Sequence, residues 1–361
     1  MPLALLTAAP ALQAVANRNP ELVERYYSLR LFPPIIHVLS LINGVVGFSI
    51  AELLIYVLVA ALAGTVIYQA IVIYLRRRRI SAVLRTDLLA VIWISGSALM
   101  LLLLMWGLNY QRVPLAGQLR SAGRNASVEQ FKTISEIIVT EINANYDASH
   151  FGDAAEGSPS GAPTRAQIYE LIESAYQHEP LVGNAGSGRY GPPKPIYFSG
   201  ILNRFGLSGF YMPFTGEPHF NDAQPYFDLP FVIAHEKAHQ RGFAREDEAN
   251  FIAFLVCINS ADPYVRYSGY LNVVKVAVAL YNSDPEFYKH LTMCIGEGPR
   301  NDLRARAAFW ARTKGTARYV AVQVNNTYLK ANRIPSGARS YSEDVALIVG
   351  YYLMQAQNDH K

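Results

Sequence analysis

Two long stretches of this chain carry almost no polar residues. From Ile50 to Leu75 the single charge is Glu52, and from Leu88 to Leu108 there is none. A helix needs roughly 20 apolar residues to cross the hydrocarbon of a bilayer, so spans are predicted at about 50–75 and 88–108. Between them lie Arg76, Arg77, Arg78 and Arg79, then Arg85. Positive loops stay on the cytoplasmic side, which puts this loop inside and Asn109 onward outside. Two helices buried in a soluble core would not explain four adjacent arginines between them. Trp106 and Tyr110 fall where interfacial aromatics anchor a span.

The stretch before these spans is less decisive. Pro2 to Ala16 is apolar and uncharged, short for a span, and lacks the basic start of a secretory signal. It reads as a short first span over residues 2–17 or as the remnant of a signal anchor. As a span it places the N-terminus in the cytoplasm and leaves Asn17 to Phe48 as an outer loop. That loop holds Glu21, Glu24, Tyr26 and Tyr27, a wet or interfacial composition, and Pro33-Pro34 prevents one straight helix. The division expected is a membrane region, residues 1–115, followed by an extracytoplasmic domain, residues 116–361.

Beyond Arg112 the pattern is that of a globular domain. Ser127 with Gln130 is a capping-box pair that opens a helix with Phe131, Ile134, Ile137, Ile138 and Ile142 on one stripe. Ser149 to Pro163, rich in Gly, Ser, Ala and Pro, reads as a loop. Thr164 with Gln167 repeats the capping box, and Gly191-Pro192-Pro193-Lys194-Pro195 is a rigid turn. Strands are predicted at Ile196–Phe198, Gly209–Phe214 and Glu217–Phe220, and helices dominate from Phe231. No internal repeat is present. The fold class is therefore N-terminal transmembrane helices plus a mostly helical α+β domain.

Composition narrows the function classes. Of 361 residues 51% are hydrophobic and 17% charged, against roughly 25% charged in an ordinary soluble protein. That deficit excludes a disordered chain. A net charge of +4 is too mild for a nucleic-acid binder, so no nucleic-acid partner is expected. Two cysteines exclude a disulfide scaffold or a cysteine-rich metal cluster. Cys257 and Cys294 could pair outside the membrane, or Cys257 could be a buried free thiol in an apolar helix.

One segment concentrates the chemistry. His235-Glu236-Lys237-Ala238-His239 has the HExxH pattern of zinc hydrolases. Residues four apart share a helix face, so two imidazoles can hold one ion. Asp228 can cap this helix, and Pro230 suits its first turn. Glu236 stands beside the metal position, where a carboxylate can take a proton from zinc-bound water and pass it to the leaving group. A hydrolytic zinc wants three protein ligands and an open position. Gly242 can end the helix in a left-handed conformation, and a second helix can begin near Arg245. Glu246 is then the third ligand, with Asn250 one turn on as the partner of a ligand imidazole. Glu248 is the fallback ligand, and Asp247 reads as a solvated acid of the first turn.

With these residues the chain resembles the domain of unknown function 3810 family of bacterial membrane proteins, a zincin-like group. The resemblance covers nearly the whole chain. It includes Asn19-Pro20 with Tyr26-Tyr27, Trp106-Gly107-Leu108-Asn109-Tyr110, and Tyr211-Met212-Pro213-Phe214-Thr215-Gly216-Glu217. It continues through the HExxH segment with Glu246 to Asn250, Tyr267-Ser268-Gly269-Tyr270, Asn325 to Asn332 and Ser340-Tyr341. It implies a membrane-anchored zinc metallopeptidase and no particular substrate. A weaker similarity links Glu246 and Asn250 to gluzincins, in which a ligand Glu is followed four residues on by Asp. Asn in that place weakens the charge behind the metal, and the gap from His239 to Glu246 is short for those enzymes. A metzincin reading fails because Arg245 stands where a His is required.

The expected function is thus a zinc-dependent hydrolase of the bacterial cytoplasmic membrane, most simply a metallopeptidase. Its site lies outside, and its substrate is a peptide or protein of the cell envelope. The competing reading is a membrane sensor or binding protein on the same fold without turnover. Glu236 favours the enzyme, since a pure binder needs no base beside its metal. His219 is expected to line the cleft beside an extended substrate or to be an ordinary surface residue. Tyr267, Tyr328, Tyr341 and Lys330 are candidate donors to a developing oxyanion, each weighed against simple packing.

Overall fold

The computed structural model describes residues 2–75, 79–115, 117–146, 162–182, 188–332, 334 and 343–359. Arg76 to Arg78, Tyr341 and nearly all of the loop expected at Ser149–Pro163 lie outside these.

Helix α1 (Pro2–Ala16) has 15 residues. The chain then turns through Pro20–Leu22 into a π-helical stretch, Val23–Leu31, and α2 (Phe32–Gly44). Pro33 and Pro34 sit in the first turn of α2, where a missing N–H costs little. The widened turn ahead of them, in which the Phe32 N–H reaches the Tyr27 carbonyl, lets the helical path continue.

Helices α3 (Ile50–Tyr74) and α4 (Ile80–Met105) are long and apolar enough to cross a membrane. In their most apolar windows only 6% and 11% of residues are buried, so they are not core helices. Helix α4 starts at Ile80 rather than Leu88 and therefore includes Arg85 and Asp87. Gln69 of α3 donates to Asp87 Oδ1 at 2.6 Å, joining the two helices. The start of α3 is held by the domain: Glu217 accepts from the N–H groups of Ile50 (3.1 Å) and Ala51 (2.8 Å). A carboxylate there also complements the helix dipole. After α4 a 3-10 turn, Gly107–Gln111, leads into the domain.

Both predicted capping boxes form, at the start of α6 (Val128–Asn145), which follows α5 (Gly117–Arg124), and of α7 (Arg165–His178). A small sheet comprises β1 (Lys194–Pro195), β2 (Gly209–Met212) and β3 (Glu217–Phe220), with α8 (Ser199–Phe205) between β1 and β2. The order is β1-β3-β2; β1 runs parallel to β3, with Lys194 opposite His219, and β2 antiparallel, with Phe210 opposite His219. The strand expected at Ile196–Phe198 does not form. Only the Ile196 N–H still reaches the sheet, at the Phe220 carbonyl, while those of Tyr197 and Phe198 turn to Glu52.

The rest is helical: α9 (Leu229–Gln240), α10 (Glu246–Ile258), α11 (Pro263–Val273), α12 (Lys275–Val278), α13 (Pro285–Cys294), α14 (Glu297–Ala311), α15 (Thr316–Ala331) and α16 (Asp344–Asp359). Helix α10 is the core element. Phe251, Ile252, Phe254, Leu255 and Val256 are all buried, as in a helix surrounded on every side. Each such side chain contributes about 1.5–3 kcal/mol. Helices α9, α11 and α16 pack around it.

Most of Asn17 to Phe48, read from the sequence as an outer loop, folds onto this domain. Val23, Tyr27, Phe32 and Ile36 share an apolar cluster with Trp106, Tyr190 and Ala244. Lys194 ties down the end of the segment, donating to the carbonyls of Asn43 (2.8 Å) and Phe48 (2.9 Å).

Candidate metal centre

Helix α9 carries the first two site residues. Pro230 occupies its first turn, but Asp228 does not cap it as expected. The Arg306 guanidinium takes both Asp228 oxygens, a stronger pairing than a cap N–H offers. One turn apart, His235 and His239 stand edge to face with centroids 4.7 Å apart.

The end of α9 then orients His239. Gly242 adopts φ +89°, the left-handed conformation expected of it. The Phe243 N–H returns to the Ala238 carbonyl at 3.1 Å. That turn brings the Phe243 carbonyl to 2.7 Å from His239 Nδ1. A carbonyl can only accept, so Nδ1 carries the proton and donates it, which aims Nε2 at the cluster.

The third residue follows at once, because α10 begins at Glu246. Glu246 Oε2 lies 3.2 Å from His235 Nε2 and 3.5 Å from His239 Nε2. Tetrahedral zinc with bonds of roughly 2.0–2.2 Å separates neighbouring ligand atoms by about 3.4 Å. Both Glu246 distances are close to that value, and one ligand atom of each of the three residues lies within 4.8 Å of the others, so the three could hold a metal ion. Asn250, one turn further on, lines the same cavity as His235, beside which its amide favours the charged imidazole. Glu248 faces away: it is fully buried and accepts from the Leu115 N–H at 2.8 Å. Asp247 is not solvated as expected but buried against Arg120.

Charge within the cluster is strongly coupled. Burial opposes ionisation of Glu246, yet the two imidazoles overcome it and hold the carboxyl well below its ordinary range. Burial likewise opposes a charge on His239, but Glu246 lifts it to about 9. For His235 burial prevails and its pKa falls.

Glu236 is set apart from this exchange. Burial pushes its carboxyl up to about 8, with His239 pulling the other way. Its Oε2 has no hydrogen-bond partner among the described residues. Strand β2 crosses directly over it: a Cβ at Gly209 would lie 2.7 Å from Glu236 Oε1 and 2.6 Å from the His219 carbonyl. Only glycine permits that approach. Among the described residues no strand pairs with the outer edge of β2.

His219 is neither cleft nor surface. It lies on the central strand β3, fully buried, with Nε2 2.7 Å from Ser49 Oγ. Burial drops its pKa to about 4, with Glu217 opposing. With β3 central, the sheet edge nearer Glu236 is that of β2.

Trp106 and Tyr110, expected at the membrane surface, are buried in the wall of the site. The Trp106 indole stands edge-on to His239, centroids 5.7 Å apart, and lies 4.9 Å from the Tyr211 ring. Tyr328 completes the wall, its ring standing 5.7 Å from that of Tyr110. Burial pushes its phenol to about 12, and the Glu246 charge adds to the rise. Tyr267 is committed elsewhere, donating to Asp302 at 2.7 Å, and Lys330 is exposed. Cys257 is buried and Cys294 exposed, and both are free thiols.

Sequence reasoning missed a buried ionic knot on the far side of α9. Glu173 of α7 forms an ion pair with Lys237 Nζ at 2.9 Å and accepts from Arg241 at 2.6 Å. The Arg241 guanidinium lies between Tyr176 and Tyr190, 3.9 Å and 4.6 Å from the ring centroids. Lys237 and Arg241 at one-turn spacing beside an apolar run were a readable signal for a buried acid opposite them.

These features define a mostly helical protein with two membrane-length helices and a His-His-Glu cluster carried on two consecutive helices. A family model described as a protein of unknown function (DUF3810) matches residues 27–349, and the chain belongs to that family. No curated protein and no solved structure matches it.

Proposed function

We propose that this protein is a membrane-anchored zinc-dependent hydrolase, most simply a metallopeptidase with a zincin-like domain outside the bacterial cytoplasmic membrane. The observation that carries the reading is the convergence of ligand atoms of His235, His239 and Glu246 within 4.8 Å of one another, beside Glu236, whose Oε2 has no hydrogen-bond partner among the described residues. Zinc held by these three residues would lower the pKa of a bound water toward about 7. Glu236, kept basic by its burial, would accept a proton from the attacking water and pass it to the leaving amine. Asn250 and the Phe243 carbonyl fix the two imidazoles. The free edge of β2 offers backbone pairing to an extended polypeptide across the site. Of the candidate oxyanion donors, Tyr328 alone is described beside the cluster, held there by Trp106 and Tyr110.

Lipid is the second partner in this reading. Helices α3 and α4 span, with the loop of Arg76–Arg79 in the cytoplasm. Around the outer start of α3 lies an exposed apolar surface that includes Ile42, Val45, Phe48, Tyr197 and Phe198. Glu52 joins its parts by accepting from the N–H groups of Tyr197 and Phe198. Such a surface beside a span suits the headgroup boundary. Since Trp106 ends α4 and touches His239, the reaction centre stands at the bilayer face, within reach of envelope polypeptides close to the membrane.

The test combines metal content with complementation. The purified full chain should carry about one zinc per molecule, and His239→Ala should lose it. Glu236→Gln should keep zinc but lower turnover about 10²–10⁴-fold and fail to rescue a deletion strain. Rescue by Glu236→Gln alongside failure of His235→Ala would mean that the metal serves binding rather than chemistry.

A further inference from the structure

A cavity of about 330 Å³ opens beside the cluster. His235 and Asn250 form one part of its wall; Gln224, Asp228, Arg306 and Arg318 form another. Its volume is at the small end of the range for ligand pockets, about 300–1,000 Å³, which suits one residue of a larger ligand.

The charges in this wall do not cancel. Arg306 is consumed by Asp228 and also donates to the Leu271 carbonyl. Arg318 has no carboxylate partner among the described residues; its Nη1 donates only to the Trp310 carbonyl and Thr313 Oγ1, both at 3.2 Å. Its position is nevertheless fixed. Gly206, at φ +71°, lets the side chain lie across the end of α8, since a Cβ there would come within 2.7 Å of Arg318 Nε. The guanidinium also lies 6.0 Å from the Trp310 ring centroid. Gln224 supplies an independent sign of a missing ligand. It is buried, it lines the same cavity, and its Nε2 amide has no hydrogen-bond partner among the described residues. A buried donor left unpaired costs free energy that a ligand oxygen would recover.

We propose that this cavity is an anion subsite that binds one carboxylate of the substrate through Arg318 and Gln224. The inference rests on the reading of the His-His-Glu cluster as the reaction centre. One uncompensated guanidinium fork and one neutral amide match a singly charged planar group; a phosphate dianion would call for more positive charge. The carboxylate belongs either to an acidic side chain or to the free C-terminus of the peptide, next to the bond held at His235.

The experiment uses the full chain in nanodiscs, zinc-loaded and carrying Glu236→Gln to prevent turnover. Calorimetry compares three peptides: acetyl-trialanyl-glutamate amide, acetyl-trialanyl-glutamine amide, and acetyl-trialanyl-glutamine with a free carboxyl. At least one carboxylate peptide should bind roughly 10- to 100-fold more tightly than the neutral one. Preference for the first assigns the side chain, and preference for the third assigns the C-terminus. Arg318→Gln should abolish the preference, and Arg318→Lys, which keeps the charge without the fork, should restore part of it. Gln224→Leu should weaken it without touching any ion pair. Equal binding of all three peptides, absent binding of the carboxylate peptides at millimolar concentration, or a preference unchanged in Arg318→Gln would each overturn the subsite. Hydrolysis by the wild-type chain is scored separately: a carboxylate preference without turnover would retire the hydrolase reading and leave the subsite standing.

Discussion

The indole of Trp106 stands edge-on against the imidazole of His239, so the residue that ends a membrane-length helix touches a residue of the candidate metal centre. Trp106 also packs on Tyr211 and on Tyr110, whose ring meets that of Tyr328. Trp106→Ala should therefore act twice. Loss of a large buried aromatic should cost about 3–5 kcal/mol of stability. Loss of support behind a ligand should lower zinc affinity about 10–100-fold. Trp106→Phe keeps one aromatic ring and loses the N–H with part of the indole surface, so it should cost less stability than Trp106→Ala. Thermal unfolding and zinc titration in nanodiscs measure both; a Trp106→Ala protein with unchanged zinc affinity would show that the contact is packing alone.

A second prediction separates two acids that are close in sequence. Glu246 faces both imidazoles, whereas Glu248 accepts from the Leu115 backbone. Glu246→Ala should empty the site of zinc. Glu248→Ala should leave zinc in place and cost about 1–3 kcal/mol by orphaning a buried N–H. Elemental analysis of the two variants decides, and zinc loss confined to Glu248→Ala would reverse the assignment.

What the sequence revealed followed from periodicity. The apolar runs marked α3 and α4, the capping pairs marked the starts of α6 and α7, and one-turn spacing brought His235 to His239 and Asn250 to Glu246. Each of these depends on residues a turn apart. Long-range pairings carry no such signature. Nothing local indicates that Arg306 would take Asp228 from its cap, that Arg120 would bury Asp247, or that Trp106 would turn inward to His239. The same limit hid the role of Gly209, whose missing Cβ matters only because Glu236 lies beneath it.

The ionic knot behind α9 predicts a pH dependence. The paired cations overcome burial and hold the Glu173 carboxyl below its ordinary 4.5. A depressed carboxyl contributes stability that is fully present above its unfolded pKa. That stability should disappear as pH falls below 4.5 toward the lower folded value. Burial also pushes Lys237 down from 10.5 to about 8, so the folded state binds fewer protons across that interval and this group adds stability as pH rises through it. Glu173→Gln leaves two buried cations short of their anion and should cost about 3–5 kcal/mol. It should also flatten the acid limb of the unfolding curve. An unchanged acid limb in Glu173→Gln would place the acid sensitivity elsewhere.

The last prediction concerns where the domain meets lipid. Val45 and Tyr197 are each 85% exposed to solvent in the isolated chain, beside the start of a helix long and apolar enough to cross a membrane. If they sit in the headgroup boundary, a cysteine in either place should be shielded by the bilayer. The background is favourable, because Cys257 is buried and only Cys294 needs replacing with serine. Glu129, whose side chain is 80% exposed on α6, supplies the open reference position. In spheroplasts, a charged membrane-impermeant maleimide should label Glu129→Cys quickly, and Val45→Cys and Tyr197→Cys slowly. Dissolving the bilayer in detergent should bring the three rates together. Equal rates before detergent would remove the lipid seat while leaving α3 and α4 as spans. Labelling of Glu129→Cys only after lysis would place the domain in the cytoplasm and overturn the proposed orientation.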